Sequence, residues 1–223
     1  HSELGLHVWS PVMAPIAEKL GKNIPLSVED GLVLYHHPDL HEVGALANIV
    51  RKARFGLKTF FNSNVHINQT NICVLACRFC AFRRGPKAHD AYAMSVDEYV
   101  ADLSRYAHAV DEVHSVGGLH PDWGIEHYEA LFARVTNEHP HVSIKALTAV
   151  EIKHLSQRSS IPTKEVLRRL KNAGLTSLPG GGAEILDDDV RAVICNGKES
   201  SAEYLQIHRC LLYTSPSPRD SLS

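Results

Sequence analysis

Apolar positions along the chain change period several times, and each change marks an element. Residues 1–26 carry Pro11, Pro15 and Pro25 and support only a short helix near Ala14–Lys19. Ser27 with Asp30 forms an N-terminal cap, and Val28, Leu32 and Tyr35 recur behind it at helical spacing. Leu40, Val43, Leu46, Ala47 and Val50 continue the 3.6-residue period to Gly56, a helix stop. Phe60–Ile72 reads as a strand. Ser95-Val-Asp-Glu98 is a capping box, and Val96, Tyr99, Val100, Leu103, Tyr106, Ala107 and Val110 form one apolar helical face. Glu112–Val116 is a short strand, followed by a helix with Tyr128, Leu131, Phe132 and Val135 on one side. Val142–Leu147 is the third strand and ends at Thr148-Ala-Val-Glu151. Thr163 caps a helix carrying Val166, Leu167, Leu170 and Ala173, stopped by Gly174. The fourth strand, Leu175–Leu178, runs into Pro179-Gly-Gly-Gly-Ala-Glu184, and helical pieces at about 187–194 and 201–209 follow.

Strand, loop and helix repeated four times predict a parallel α/β architecture, with the chemically suggestive residues after the strands. Parallel (β/α) barrels place their active sites there, and a complete eight-unit barrel takes about 250 residues. The expected fold class is therefore a partial parallel (β/α) barrel of four units, TIM-barrel-like, behind an N-terminal helical arm. The expected organisation is an arm over residues 1–58, an incomplete barrel over 59–209, and a tail over 210–223. That tail is Ser/Pro-rich and aperiodic, and it reads as disordered or as a translated cloning scar. The absence of an initiator methionine predicts an incomplete N-terminus.

Composition narrows the partners. A net charge of −2 leaves no basic footprint for nucleic acid, and no apolar run is long enough to span a bilayer. Three of the five cysteines share one loop, which fits a reducing, cytoplasmic setting better than a disulfide framework. His37 and His41 are four apart, but Pro38 between them argues against a helical metal pair.

The cysteines carry the chemistry. Cys73, Cys77 and Cys80 follow the first strand at C-x3-C-x2-C spacing. A zinc ribbon wants C-x2-C pairs and a fourth ligand close by, so three thiolates here converge on something with one position open. A zinc module with His66 or His89 as a further ligand remains the alternative from the residues alone. Gly117-Gly118, directly after the second strand, permits close backbone approach. The Pro179–Gly182 run lacks the Gly-Lys-Ser/Thr of a phosphate loop and instead lets a loop pass close to a ligand. By position, Ser177, Glu184 and Glu151 are candidates for ribose or substrate contact, and His120 and Lys145 for orienting a carboxylated substrate.

The cysteine spacing, with aromatic Phe79 before the last cysteine, resembles the cluster loop of the radical S-adenosylmethionine (SAM) superfamily. That resemblance implies three thiolates holding a 4Fe-4S cluster, with SAM on the fourth iron and Gly117-Gly118 near its methionine end. His66-Ile-Asn-Gln-Thr-Asn-Ile-Cys73, Val116-Gly-Gly-Leu-His-Pro121, Ile144–Ile152 and Ser177–Ile185 together resemble the aminofutalosine synthase family. The likeness covers roughly residues 27–209, and Gln69 departs from it where proline is expected, a change implying altered loop rigidity. It implies addition of a 5'-deoxyadenosyl radical to a chorismate-derived enol ether, 3-(1-carboxyvinyloxy)benzoate, in menaquinone biosynthesis. An electron donor such as flavodoxin or ferredoxin is implied with it. Relatives of that family include the dehypoxanthine futalosine cyclase and the deazaflavin synthase components.

Overall fold

The structure, a computed structural model, describes residue 5 and residues 7–214, so residues 215–223 of the expected tail lie outside the described residues. The chain divides into two compact units, His1–Phe61 and Asn62–Ser223. The first contains α1 (Ala14–Gly21), α2 (Val28–His36) and α3 (Leu40–Phe55). Ser27 and Asp30 form the reciprocal capping box that opens α2. The helical period does not run through to Gly56 as one arm. His37, held extended (φ −64°, ψ 128°) before Pro38, breaks it, and Asp39 starts α3 by accepting from the His41 and Glu42 amides. Met13, Ile16, Ala17 and Leu46 form the buried centre of this unit. His37 contacts Glu42 (Nε2–Oε2 3.1 Å), a partner that replaces any pairing with His41.

The second unit is a four-stranded parallel sheet in sequential order: β1 (Asn64–His66), β2 (Glu112–Ser115), β3 (Ser143–Ala146) and β4 (Leu175–Ser177). Consecutive strands are joined through α4 (Val96–Ser104), α5 (Ile125–Glu138), and the pair α6 (Ala149–Ser159) and α7 (Thr163–Ala173). α8 (Asp188–Ile194) and α9 (Ser201–Thr214) follow β4. This is the expected partial parallel barrel architecture. Val65, Val113, Ile144 and Leu175 lie in register across the four strands and pack with Leu103, Phe132, Ile152, Leu167 and Leu170 of the helices. Period-two alternation then puts His66, His114 and Lys145, also in register, on the opposite face, and a register shift between Ile144 and Lys145 brings Ser177 of β4 beside Lys145. Among the described residues no helix is long and apolar enough to cross a membrane.

Four elements differ from the sequence reading. β1 is three residues long where Phe60–Ile72 was expected, because Asn68, Thr70 and Asn71 bond nearby backbone and replace the ladder. α4 ends at Ser104, and a separate 3-10 turn at Ala107–Ala109 carries the rest of its apolar face. α6 was not expected at all; Thr148–Glu151 starts it. α9 continues past Arg209 to Thr214, and Cys210 and Leu211 pack against the core, so the aperiodic segment begins later than residue 210.

Candidate active site

The site is built where β1, β2 and β3 end. Beyond His66 the chain stays beside β2 without forming a ladder: the Ile67 amide donates to the His114 carbonyl (3.1 Å) and the Gly118 amide to Thr70 (2.9 Å). The Val74 amide then donates to Leu119 (3.0 Å), so the Gly-Gly segment runs along the base of the cysteine loop. A Cβ on Gly118 would lie 2.1 Å from the Ile72 carbonyl oxygen and 3.0 Å from Cys73 Cβ. A Cβ on Gly117 would meet Gln69 Nε2 at 2.8 Å and the Thr70 carbonyl at 3.0 Å. The close approach that demands glycine here is therefore first of all that of the cysteine loop itself.

Residues 84–93 brace the other side of that loop. The Cys73 amide donates to the Arg84 carbonyl (3.1 Å), the Arg84 amide to Asn71 (2.7 Å), and Thr70 Oγ1 to the Tyr92 carbonyl (2.7 Å). Within the loop, the Cys80 amide closes a turn on the Cys77 carbonyl (3.2 Å), and the Arg78 amide reaches the Ile194 carbonyl (2.8 Å). All three thiols are free; Cys73 and Cys77 are half-buried and Cys80 is exposed. Burial pushes the Cys77 thiol up, an effect that the Lys198 ammonium opposes. Among the described residues no three His, Cys, Asp or Glu side chains are gathered into a metal-holding group, these cysteines included. His89 is exposed beside Asp90, and the His66 ring packs tilted against His114 (4.2 Å, 58°), and neither is grouped with the cysteines into a zinc site. The fit to an iron-sulfur cluster rests on the donors: three free thiols on one braced loop, with the buried Cys195 near enough to act on the Cys77 thiol.

A buried carboxylate locks the strand ends together. Glu151, 3% exposed, accepts from the Gly117 amide (3.0 Å) and Gln69 Nε2 (3.5 Å) with Oε1. Its Oε2 accepts from the Thr148 amide (2.7 Å) and hydroxyl (2.8 Å), which opens α6 directly after Leu147 at φ +63°. Gln69, 2% exposed, also accepts from Ser115 Oγ (2.7 Å) and approaches the Tyr128 hydroxyl (3.5 Å). Both carboxylate oxygens of Glu151 are thus engaged inside the protein, a positioning role in place of the ribose or substrate contact expected of it. Gln69 is more than a change in loop rigidity: it is the hub between β1, β2 and α5.

Burial raises the Glu151 pKa to about 7, against the hydrogen bonds that favour its ionised form. A raised carboxylate pKa means stability that is complete below the ordinary value near 4.5 and declines as pH rises to about 7. A shift of that size corresponds to roughly 3 kcal/mol. Glu151→Gln removes this titration. The stability difference between parent and variant should therefore move against the parent between pH 4.5 and 7, measured by urea unfolding at each pH. A difference independent of pH would contradict the assignment. Using the difference cancels buried histidines such as His127 and His154, whose pKa values burial lowers and whose slope is opposite.

The remaining candidates sit around this frame. His120 stacks on Trp123 (4.4 Å, 18°), and its Nδ1 accepts from the Asp122 amide (3.2 Å), which leaves the proton on Nε2. Burial lowers its pKa, so it offers a neutral, fixed donor. Lys145 lies 3.9 Å from Glu112, and Ser177 is beside it in register on β4. After β4, Gly182 (φ +96°) and Glu184 (φ +52°) shape a tight loop whose Gly180 carbonyl accepts from the Tyr204 hydroxyl (2.7 Å). Glu184 is held by Lys198 (2.7 Å), which also donates to the Gly182 carbonyl (2.7 Å). The structure thus brings Glu151 and Gly117 into one hydrogen-bonded group with Gly118 beside the cysteines, and pairs Lys145 with Ser177. Lys198 and His114 carry no signal in the sequence, and Gln69 is legible there only as a departure from an expected proline. Only Glu151 had a local signal for its role, the Thr148–Glu151 capping pattern.

Comparison with known proteins agrees with this geometry. The model of the radical SAM superfamily matches residues 67–212. The chain is 44% identical over 203 residues to an aminodeoxyfutalosine synthase of Thermus thermophilus, covering 91% of this chain and 55% of that protein. It is 35% identical over 204 residues to a cyclic dehypoxanthine futalosine synthase of Streptomyces coelicolor, covering 87% and 50%. Among solved structures, methylornithine synthase aligns with a TM-score of 0.65 at 16% identity, over 89% of this chain and 56% of that one, a likeness of fold. The chain spans about half the length of the curated relatives it matches. The family implies a 4Fe-4S cluster and SAM in general terms, and the cysteine loop, its glycine brace and the parallel sheet behind them supply matching donors. By sequence and by fold, the chain belongs to the radical SAM superfamily.

Proposed function

We propose that this chain is the cluster-bearing part of a radical SAM transferase, one that joins the 5'-deoxyadenosyl group of SAM to 3-(1-carboxyvinyloxy)benzoate, with methionine released and the enol-ether carboxyl group lost, and so makes aminofutalosine for menaquinone. The observation that carries this reading is the 44% identity to the Thermus synthase across 91% of the chain, against 35% to the cyclase. Cys73, Cys77 and Cys80 would hold a 4Fe-4S cluster, which when bound would supply the electron for reductive cleavage of SAM.

The chain's own residues bind and aim. Gly117 and Gly118 present bare backbone beside Cys73, and Glu151 fixes the Gly117 amide from behind. Ser177 and Glu184 are proposed contacts for the ribose. The Nε2–H of His120 and the ammonium of Lys145 are proposed to hold the carboxylates of the substrate, with the Trp123 stack fixing the His120 ring. A flavodoxin or ferredoxin is the proposed electron donor.

Product analysis tests the reading. Anaerobic incubation with SAM, reductant and the benzoate enol ether should give an adenosyl-containing product and methionine. Free 5'-deoxyadenosine with no adduct would instead mark hydrogen abstraction, as proposed for a cyclase-like enzyme, and would overturn the transferase assignment.

A further inference from the structure

The end of α8 and the turn that follows it dock on the cysteine loop at three points. The Arg78 amide donates to Ile194, Gly197 faces Leu75 so closely that a Cβ there would lie 3.2 Å from Leu75 Cδ2, and Lys198 sits 5.8 Å from the Phe79 ring centre. Lys198 is 6% exposed, and an ammonium at that depth needs partners. It has three: the Gly182 carbonyl (2.7 Å), the Glu184 carboxylate (2.7 Å) and the Phe79 ring, within the ~6 Å reach of a cation–π contact. Two of its three N–H donors are thereby used on the loop after β4, while its charge lies against Phe79, the residue before Cys80. The neighbouring charges Arg191 and Glu199 are paired with each other (3.3 Å).

We propose that Lys198 is a positioning cation of the cysteine loop: it clamps Phe79 to the glycine-rich loop after β4 and, opposed by Glu184, sets the electrostatic field at the thiolates. This rests on the cluster reading above. Reduction adds one negative charge to a cluster, so a nearby cation favours the reduced state and raises its potential, while a nearby carboxylate lowers it. The two residues therefore carry opposite predictions from one geometry.

The test is a redox titration of the anaerobically reconstituted chain, followed by the electron paramagnetic resonance signal of the reduced cluster. Lys198→Met should shift the midpoint to a more negative value, Lys198→Arg should hold it near the parent's, and Glu184→Gln should shift it to a more positive value. Glu184 is one-third exposed, so its variant keeps the test open if removal of buried Lys198 impairs folding. Opposite shifts support the proposal. Unchanged midpoints, or shifts of the same sign in the Met and Gln variants, overturn it while leaving the cluster assignment standing. A parent chain that binds no iron and sulfide overturns both.

Discussion

Alanine at position 118 is expected to destabilise the chain by about 3 kcal/mol and to abolish cluster binding by the cysteine loop. The added Cβ would lie 2.1 Å from the Ile72 carbonyl oxygen and 2.6 Å from its carbon. Both are backbone atoms, so no side-chain rotation relieves the clash and the two segments must separate. Separation would break the Gly118–Thr70 and Val74–Leu119 hydrogen bonds, which seat Cys73 against the end of β2. Gly180 is the matched control, because nothing lies within 4 Å of a Cβ built there. Gly180→Ala should stay within about 0.5 kcal/mol of the parent. Urea unfolding and iron content of the two variants decide the matter. A Gly118→Ala chain as stable and as iron-loaded as the parent would contradict the zipped-loop account.

Loss of any one of Cys73, Cys77 or Cys80 should have the larger chemical effect and a small structural one. Cys80 is exposed and Cys73 and Cys77 are half-buried, so alanine at these positions removes little packing. Two thiolates are too few for a stable cluster, and the nearby Cys195 is buried at 2% exposure, poorly placed to replace a lost ligand. Each single alanine variant should therefore bind no stable cluster while unfolding near the parent's midpoint. Cys210→Ala, remote in sequence from the loop, should retain iron and sulfide. A full complement of both in a Cys77→Ala chain would refute the ligand assignment.

Much of this frame could be read from periodicity and caps. The boxes at Ser27–Asp30 and Ser95–Glu98 stand where the pattern put them, and each opens a helix. The same pattern at Thr148–Glu151 was legible too, but a carboxylate at a strand end also invites a catalytic reading. Only the structure shows Glu151 turned inward onto Gly117 and Thr148. α6 is legible as well, since Ala149, Ile152 and Leu155 recur at three-residue spacing behind Thr148, but its other positions are polar and the apolar face is narrow. Gln69 and Lys198 had no local signal for their roles. Their partners lie 46 and 82 residues away for Gln69, and 14 and 16 for Lys198, and such contacts exist only once the strand ends are brought together. Sequence spacing singles out the thiols as candidates. What holds them is tertiary.

The central claim, that three thiolates of this chain hold a cluster with one iron left for SAM, has a direct spectroscopic test. The anaerobically reconstituted and reduced chain should contain iron and sulfide in equal amounts and show the electron paramagnetic resonance of a reduced 4Fe-4S cluster. Addition of SAM should change the g-values of that signal, because SAM would enter the open position. A brown protein whose signal is unaltered by saturating SAM, or a colourless protein that takes up zinc in place of iron, would contradict the account.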